Sequence, residues 1–292
     1  MEEMVYLNDG LVEREKAHIS ISDHGFLYGY GLFQTMRAYN GKVFMLEKHI
    51  VRLLEAAEII GMGEEVAGLG LVRACRETLE ANKLTDARVR LTVTNGDGAE
   101  LPWVEAGGMP TILVTAQPYA PFSEEKYSEG FKVGIASVKR CRQNVLATMK
   151  SINYLSSVMA RIEATENGLD ESIVLNDGGF VAEGGSSNIF FVEGKKLITP
   201  STENGIIPGV TREVVMALAK GMGLSVKEGD ITPDAIEVFD EVFMTNALIE
   251  VMPVVRVSDA EGRMDIIGEG KPGKVTKKLL AAYREKVKKE TG

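Results

Sequence analysis

Cysteine is scarce in this 292-residue chain: there are two, Cys75 and Cys141, with no C-x-x-C spacing and no Cys/His cluster. That argues against a disulfide framework and against a structural metal site. No uninterrupted apolar run approaches the ~20 residues that a membrane span needs. Basic residues are outnumbered, 33 Lys and Arg against 42 Asp and Glu, which leaves a formal charge of -9. This balance speaks against a nucleic-acid partner, whose phosphates call for clustered Lys and Arg, and for solubility. The start, Met1-Glu2-Glu3-Met4, has neither the basic nor the apolar region of a signal peptide, so the expected address is the cytoplasm. No internal repeat or low-complexity segment is visible.

What is present is ordinary globular material, 45% hydrophobic and 26% charged, over a length that suits two lobes. Asn8-Asp9-Gly10 and Asn40-Gly41 predict tight hairpins, because Asp-Gly and Asn-Gly pairs tolerate the positive φ such turns require. Ile50, Leu53, Leu54, Ala57 and Ile60 recur at helical spacing with Gly61 as a C-terminal stop. On that helix Arg52 falls on the 49-52-56 side, away from the apolar stripe. A second helix is expected over 72–82. Residues 87–94 alternate strictly, which places Arg88, Arg90 and Thr92 on one strand face.

Residues 117–122, with two prolines and no periodicity, mark a linker. The expected division is 1–118 for a small N-terminal α/β domain, 119–129 for the linker and 130–292 for a large C-terminal domain. In the second domain strands are predicted at 131–138, 172–175, 180–182, 188–192, 197–199 and 241–244, and helices at 152–166, 211–221 and 273–289. Mixed strands and helices with many short hairpins indicate an α+β fold.

Three features carry possible chemistry. Lys150 is the one charged side chain between Gln143 and Ala160. Apolar surroundings disfavour an ammonium ion, which suits a nucleophilic amine; a lysine snorkelling out of a strand-to-helix junction explains the segment slightly better. Glu183 opens Glu183-Gly184-Gly185-Ser186-Ser187-Asn188, where a carboxylate beside permissive glycines suits a heteroaromatic nitrogen, although a polar turn explains it too. Ile206-Ile207-Pro208-Gly209-Val210-Thr211 leads into a helix whose start favours a phosphate, or is a capped helix and nothing more. An isolated surface arginine is the plainer account of Arg52. A nucleophilic lysine, an acid and a phosphate-binding helix start are together the parts a phosphorylated aldehyde cofactor needs.

Five motifs in order, Tyr28-Gly29-Tyr30-Gly31-Leu32-Phe33, His49-Ile50-Val51-Arg52-Leu53, Lys150-Ser151-Ile152-Asn153-Tyr154-Leu155, Glu183-Gly184-Gly185-Ser186-Ser187-Asn188-Ile189-Phe190 and Pro208-Gly209-Val210-Thr211-Arg212, resemble the fold-type IV, or class IV, pyridoxal-phosphate enzymes along nearly the whole chain. The resemblance implies the two-lobed, D-amino-acid aminotransferase-like fold with pyridoxal 5'-phosphate between the lobes, and a homodimer whose pockets are shared. It also implies that Lys150 is the Schiff-base and proton-shuttling lysine, Glu183 the partner of the pyridine nitrogen and Tyr154 the neighbour of the cofactor's phenolic oxygen. Arg52, Val210 and Thr211 match the phosphate grip, with Ser187 and Asn188 nearby. Where many relatives carry Gly-Thr, this chain has Asn246-Ala247, so there only backbone N–H groups would serve.

The resemblance leaves the reaction to the pocket. Tyr28, Phe33, Arg37 and Arg90 resemble substrate-binding residues of branched-chain aminotransferases, in which the arginine matching Arg90 helps admit an acidic co-substrate. Gln34-Thr35 departs from their Glu-Gly, and Thr35 and Asn246-Ala247-Leu248 resemble the aminodeoxychorismate lyases. The stretch Asn95-Gly96-Asp97-Gly98-Ala99-Glu100 lacks the Arg-x-His carboxylate trap of the best-known D-amino-acid aminotransferases. The expected activity is transfer of an amino group from a branched-chain or other hydrophobic amino acid to 2-oxoglutarate. A lyase releasing pyruvate and 4-aminobenzoate, a D-amino-acid aminotransferase and a non-catalytic pyridoxal-phosphate protein stand as alternatives.

Overall fold

The computed structural model describes residues 2–101, 109–259 and 262–292, so Met1 of the N-terminal segment lies outside the described residues. The chain divides into two compact units. The first runs to Ala120 and adds Met149–Asn153 and Val287–Gly292; the second comprises Pro121–Thr148 and Tyr154–Lys286.

In the first unit, β1 (Met4–Leu7) and β2 (Gly10–Glu13) form a hairpin through Asn8 at φ 53°. A short α1 (His24–Tyr28) precedes β3 (Gly31–Tyr39) and β4 (Lys42–Val43), and the turn between these strands places Asn40 at φ 50° and Gly41 at φ 77°, as an Asn-Gly hairpin requires. Then come α2 (Leu46–Ile59), α3 (Gly63–Ala67), α4 (Leu71–Ala81), β5 (Ala87–Thr94) and β6 (Thr111–Pro118). The strands make an antiparallel sheet in the order β2-β1-β6-β5-β3-β4.

Because side chains alternate across a strand, Leu32, Met36, Ala38, Val89, Leu91, Val93, Ile112, Val114 and Ala116 share one face. There they join Leu46, Leu53, Ala57, Leu71 and Cys75 of the helices in a single buried core. Burial pushes the Cys75 thiol up to about 12, whereas Cys141 is exposed. On α2 the buried arc is wider than the apolar stripe and takes in His49 and Ala56. The 49-52-56 side is therefore not turned away from the core. Arg52 lies at its margin and is bonded to Gln34.

Residues 117 and 118, expected in a linker, end β6, where Gln117 pairs with Arg88 and Pro118 with Ala87. Within the expected 119–129 linker, Glu124–Glu129 form α5, capped by the Ser123 hydroxyl. The second unit continues with β7 (Phe131–Arg140), α6 (Leu155–Glu166), β8 (Glu171–Asn176), β9 (Val181–Gly184), β10 (Asn188–Glu193), β11 (Lys196–Thr199), α7 (Val210–Gly221), β12 (Ser225–Glu228), β13 (Glu241–Asn246), β14 (Glu250–Ser258), β15 (Met264–Ile266) and α8 (Lys274–Thr291). Its sheet runs β12-β11-β10-β13-β14-β7-β8-β9, with β15 on β14. The β11–β12, β14–β7 and β7–β8 pairs are parallel.

The expected helix at 152–166 begins three residues later. The N–H of Ile152 donates to the Gly31 carbonyl and the Asn153 side chain donates to Gly29, so those residues are spent on the first unit's loop. Strand β14 was not expected, since Pro253 interrupts its reading. It survives because Pro253 pairs with Phe243 on one side, and β7 joins on the other only from Val254 onward. Helix α6 leaves Leu155, Val158, Met159 and Ile162 exposed along one stripe. Among the described residues no helix is long and apolar enough to cross a membrane.

Leu53 is fully buried where α2 meets the first sheet. Leu53→Ala is expected to cost about 2–5 kcal/mol, read as a lowered urea midpoint; an unchanged midpoint would contradict this account of the core.

Candidate active site

The face of the first sheet opposite the core carries Phe33, Thr35 and Arg37 of β3 beside Thr92, Arg90 and Arg88 of β5, paired in that order. Guanidinium groups crowded on one face repel one another, and two lie over rings: Arg90 Cζ is 4.0 Å from the Phe33 centroid, Arg37 Cζ 4.1 Å from Tyr39 and 5.1 Å from Tyr119. Phe33 and Arg37 are buried and Thr35 and Arg90 half-buried.

Lys150 is held along the open edge of β3. Its carbonyl accepts from Phe33 N–H at 2.8 Å, the next residue, Ser151, bridges to Leu32, and Lys150 Nζ stands 4.7 Å from the Phe33 ring. The isolation of this lysine in the sequence is thus not isolation in space. Its charge reaches His49 of α2.

His49 belongs to a buried polar cluster that sequence reasoning did not assign. Arg52 Nη2 donates to Gln34 Oε1, and His49 Nδ1 lies 3.3 Å from the same oxygen. Burial, then the charges of Arg52 and Lys150, hold the His49 imidazole well below its ordinary range, so it is neutral. The signal available in the sequence was Gln34 itself, a polar residue at a core-facing position of an alternating strand. Tyr28 sits apart from this group on α1, its hydroxyl accepting from Leu101 N–H at 3.2 Å and its ring 5.4 Å from His24.

In the second unit the centre is Glu183 on β9, which is 4% exposed. Arg140 Nη2 lies 2.7 Å from one carboxylate oxygen; the other accepts from Ile207 N–H at 3.0 Å and Asn188 Nδ2 at 3.1 Å. Three donors on a buried acid favour its ionised form. Arg140 was missed in the sequence because it ends a strand far from every motif; it also donates to the Ala147 carbonyl at 2.8 Å. Asn188 spends its amide on Glu183 and on the Ile207 carbonyl, making it a brace between β9 and the α7 approach. Burial, then the Glu183 charge, pushes the Tyr154 phenol up, with a Ser157 hydrogen bond pulling the other way. Tyr154 is therefore a neutral donor at ordinary pH.

Val210 and Thr211 are the first two residues of α7, both buried, and the helix start has no side-chain cap. Gly209 before them packs directly on the Asn188 side chain, where any Cβ would collide. Ser187 and Thr245 present buried hydroxyls with no hydrogen-bond partner, and Thr245 faces Asn188 across the β10–β13 pair. Unmet buried donors cost free energy; with the uncapped N–H groups of α7 they fit an acceptor-rich phosphate group. Asn246 takes another part: its Oδ1 accepts from Leu248 N–H at 2.8 Å and Ile249 N–H at 2.9 Å, closing the turn from β13 to β14 around Ala247, while its Nδ2 donates to Ser186. Among the described residues no cluster suited to a metal ion occurs.

Residues 31–257 match the family model described as amino-transferase class IV. The chain is 39% identical over 282 residues to the "Putative branched-chain-amino-acid aminotransferase" of Methanocaldococcus jannaschii, covering 96% of this chain and 95% of that one. It is 32% identical over 287 residues to the aminodeoxychorismate lyase of Bacillus subtilis, covering 98% and 95%. A solved branched-chain amino acid aminotransferase from Thermobaculum terrenum, in its PLP-bound holo form, superimposes with a TM-score of 0.82 at 26% identity, covering 98% and 94%.

The neutral His49 has a consequence for stability. The unfolded imidazole binds a proton near pH ~6.5 that the folded one refuses, so folding stability falls as pH drops below that value, by at most about 1.4 kcal/mol per pH unit. His49→Gln is expected to flatten the fall in urea midpoint between pH 7.5 and 5.5; equal slopes in both proteins would refute the assignment.

Proposed function

The chain belongs to the class IV aminotransferases, which depend on pyridoxal phosphate, and from that premise we propose that it moves the amino group of a branched-chain or other hydrophobic amino acid to 2-oxoglutarate. The observation that carries this reading is the face of the first sheet on which Arg37, Arg88 and Arg90 lie beside Phe33, with Lys150 Nζ over the same ring. Clustered guanidiniums offset their mutual repulsion by taking up carboxylates, and 2-oxoglutarate brings two. Phe33 gives a hydrophobic donor an apolar surface.

Bound pyridoxal phosphate supplies an aldehyde that condenses with primary amines and a ring that draws electrons from the carbon bearing the amine. Lys150 Nζ would take the proton from the donor's α-carbon as general base and, as general acid, would deliver it to the cofactor carbon that had carried the aldehyde oxygen. Glu183, held by Arg140, Asn188 and the Ile207 N–H, would keep a proton on the ring nitrogen. Tyr154, with its raised phenol, would donate from its hydroxyl to the ring oxygen. The N–H groups of Val210 and Thr211, the hydroxyls of Ser187 and Thr245, and Arg52 would hold the phosphate. Exposed apolar side chains, the Leu155-Val158-Met159-Ile162 stripe in one unit and Ile19, Ile21 and Phe26 in the other, support a homodimer as the working form.

A second reading, an aminodeoxychorismate lyase, is favoured by Thr35, which stands directly across from Arg90, by the Asn246-closed turn and by the Bacillus subtilis relative.

Two measurements test these readings. Mixing the aldehyde form with L-leucine, L-glutamate, D-alanine or D-glutamate should convert it to the amine form fastest with the L-amino acids. Lys150→Ala should slow that conversion by ~10²–10⁴-fold, and wild-type turnover in Lys150→Ala would end the mechanism. The lyase reading predicts release of pyruvate and 4-aminobenzoate from aminodeoxychorismate, lost in Thr35→Ala while L-leucine conversion persists; no release excludes it.

A further inference from the structure

Gln34 occupies a place where an apolar side chain is expected, between Leu32 and Met36 on the core face of β3, and is 1% exposed. Burying an amide is costly unless its polar atoms are paired, so its presence requires a reason in what it holds. We propose that Gln34 is a positioning residue for cofactor binding: one oxygen, Oε1, gathers Arg52 and His49 and thereby aims the Arg52 guanidinium at the phosphate. The inference rests on the assignment of Arg52 to the phosphate grip.

A guanidinium has donors only. The Gln34 atom facing Arg52 Nη2 is therefore the carbonyl oxygen, which fixes the orientation of the amide. His49 Nδ1, 3.3 Å from that oxygen, must then carry the imidazole proton, leaving Nε2 as an acceptor. A protonated His49 would add a third positive charge beside Arg52 and Lys150, so the cluster works with a neutral imidazole. With Nη2 anchored on Gln34, the planar guanidinium loses its rotational freedom, and its remaining edge is presented in one direction, as bidentate recognition of phosphate requires. A neutral amide achieves this without forming the ion pair that a carboxylate would, so the charge of Arg52 is directed rather than cancelled.

The test is equilibrium dialysis of the full-length protein against pyridoxal 5'-phosphate and against pyridoxal. Both aldehydes meet Lys150 alike, so the ratio of their dissociation constants isolates the phosphate. Arg52→Leu sets the full loss of that ratio. Gln34→Leu, similar in bulk but without the oxygen, is expected to lower the ratio by ~10-fold or more, with pyridoxal binding unchanged. Gln34→Glu, which keeps the acceptor but pairs with the charge of Arg52, should recover only part of it. An unchanged ratio in Arg52→Leu would refute the phosphate role of Arg52 and this inference with it. A reduced ratio in Arg52→Leu beside a wild-type ratio in Gln34→Leu would overturn the positioning role alone. Equal weakening of both ligands in Gln34→Leu, read beside its thermal unfolding, would mark a structural residue and overturn the role as well.

Discussion

The antiparallel pairing of Thr35 with Arg90 governs the chemistry of the first unit. Side chains change face at every residue, so a one-residue slip of β3 on β5 would carry Leu32, Met36 and Ala38 out of the core and drive Arg37 into it. The apolar face, buried against α2 and α4, enforces this register more strongly than any polar contact on the other side. Catalytic parity is inherited from core packing. The same alternation explains why Gln34 lies with the core and so meets Arg52, which approaches from the helix layer.

Much of this was legible in the chain. Strict alternation over 87–94 foretold that Arg88, Arg90 and Thr92 would share a face, and the Asn-Gly pair at 40–41 foretold the hairpin that returns β3 to β4. Less legible were features produced by long-range partners. The helix after Lys150 begins late because Ile152 and Asn153 bond to Gly31 and Gly29, more than 100 residues earlier, and no local propensity encodes that. Strand β14 was hidden by Pro253, tolerated only because its neighbour β7 joins one residue later.

The site residues divide in the same way. Lys150, Glu183 and the start of α7 carry local signals, an isolated charge, a Gly-flanked acid and a Pro-Gly-Val-Thr helix entry, each of which a plain structural account also explains. Their supports carry none. Arg140 reaches Glu183 from the end of β7, and His49 was visible only as a histidine in a helix. In each case the supporting group fixes a protonation state, of the Glu183 acid by ion pairing and of the Gln34 cluster by donor-acceptor matching, and such matching is a property of three-dimensional proximity.

The turn from β13 to β14 illustrates a different economy of order. Asn246 binds the N–H groups of Leu248 and Ile249 with its own side chain, and its amide nitrogen ties the turn to Ser186. A turn shaped by a ligand would be ordered only when that ligand arrives, and affinity would carry the entropy of ordering it. Here a side chain of the turn itself supplies the closing hydrogen bonds, so the form of the loop does not wait on a ligand.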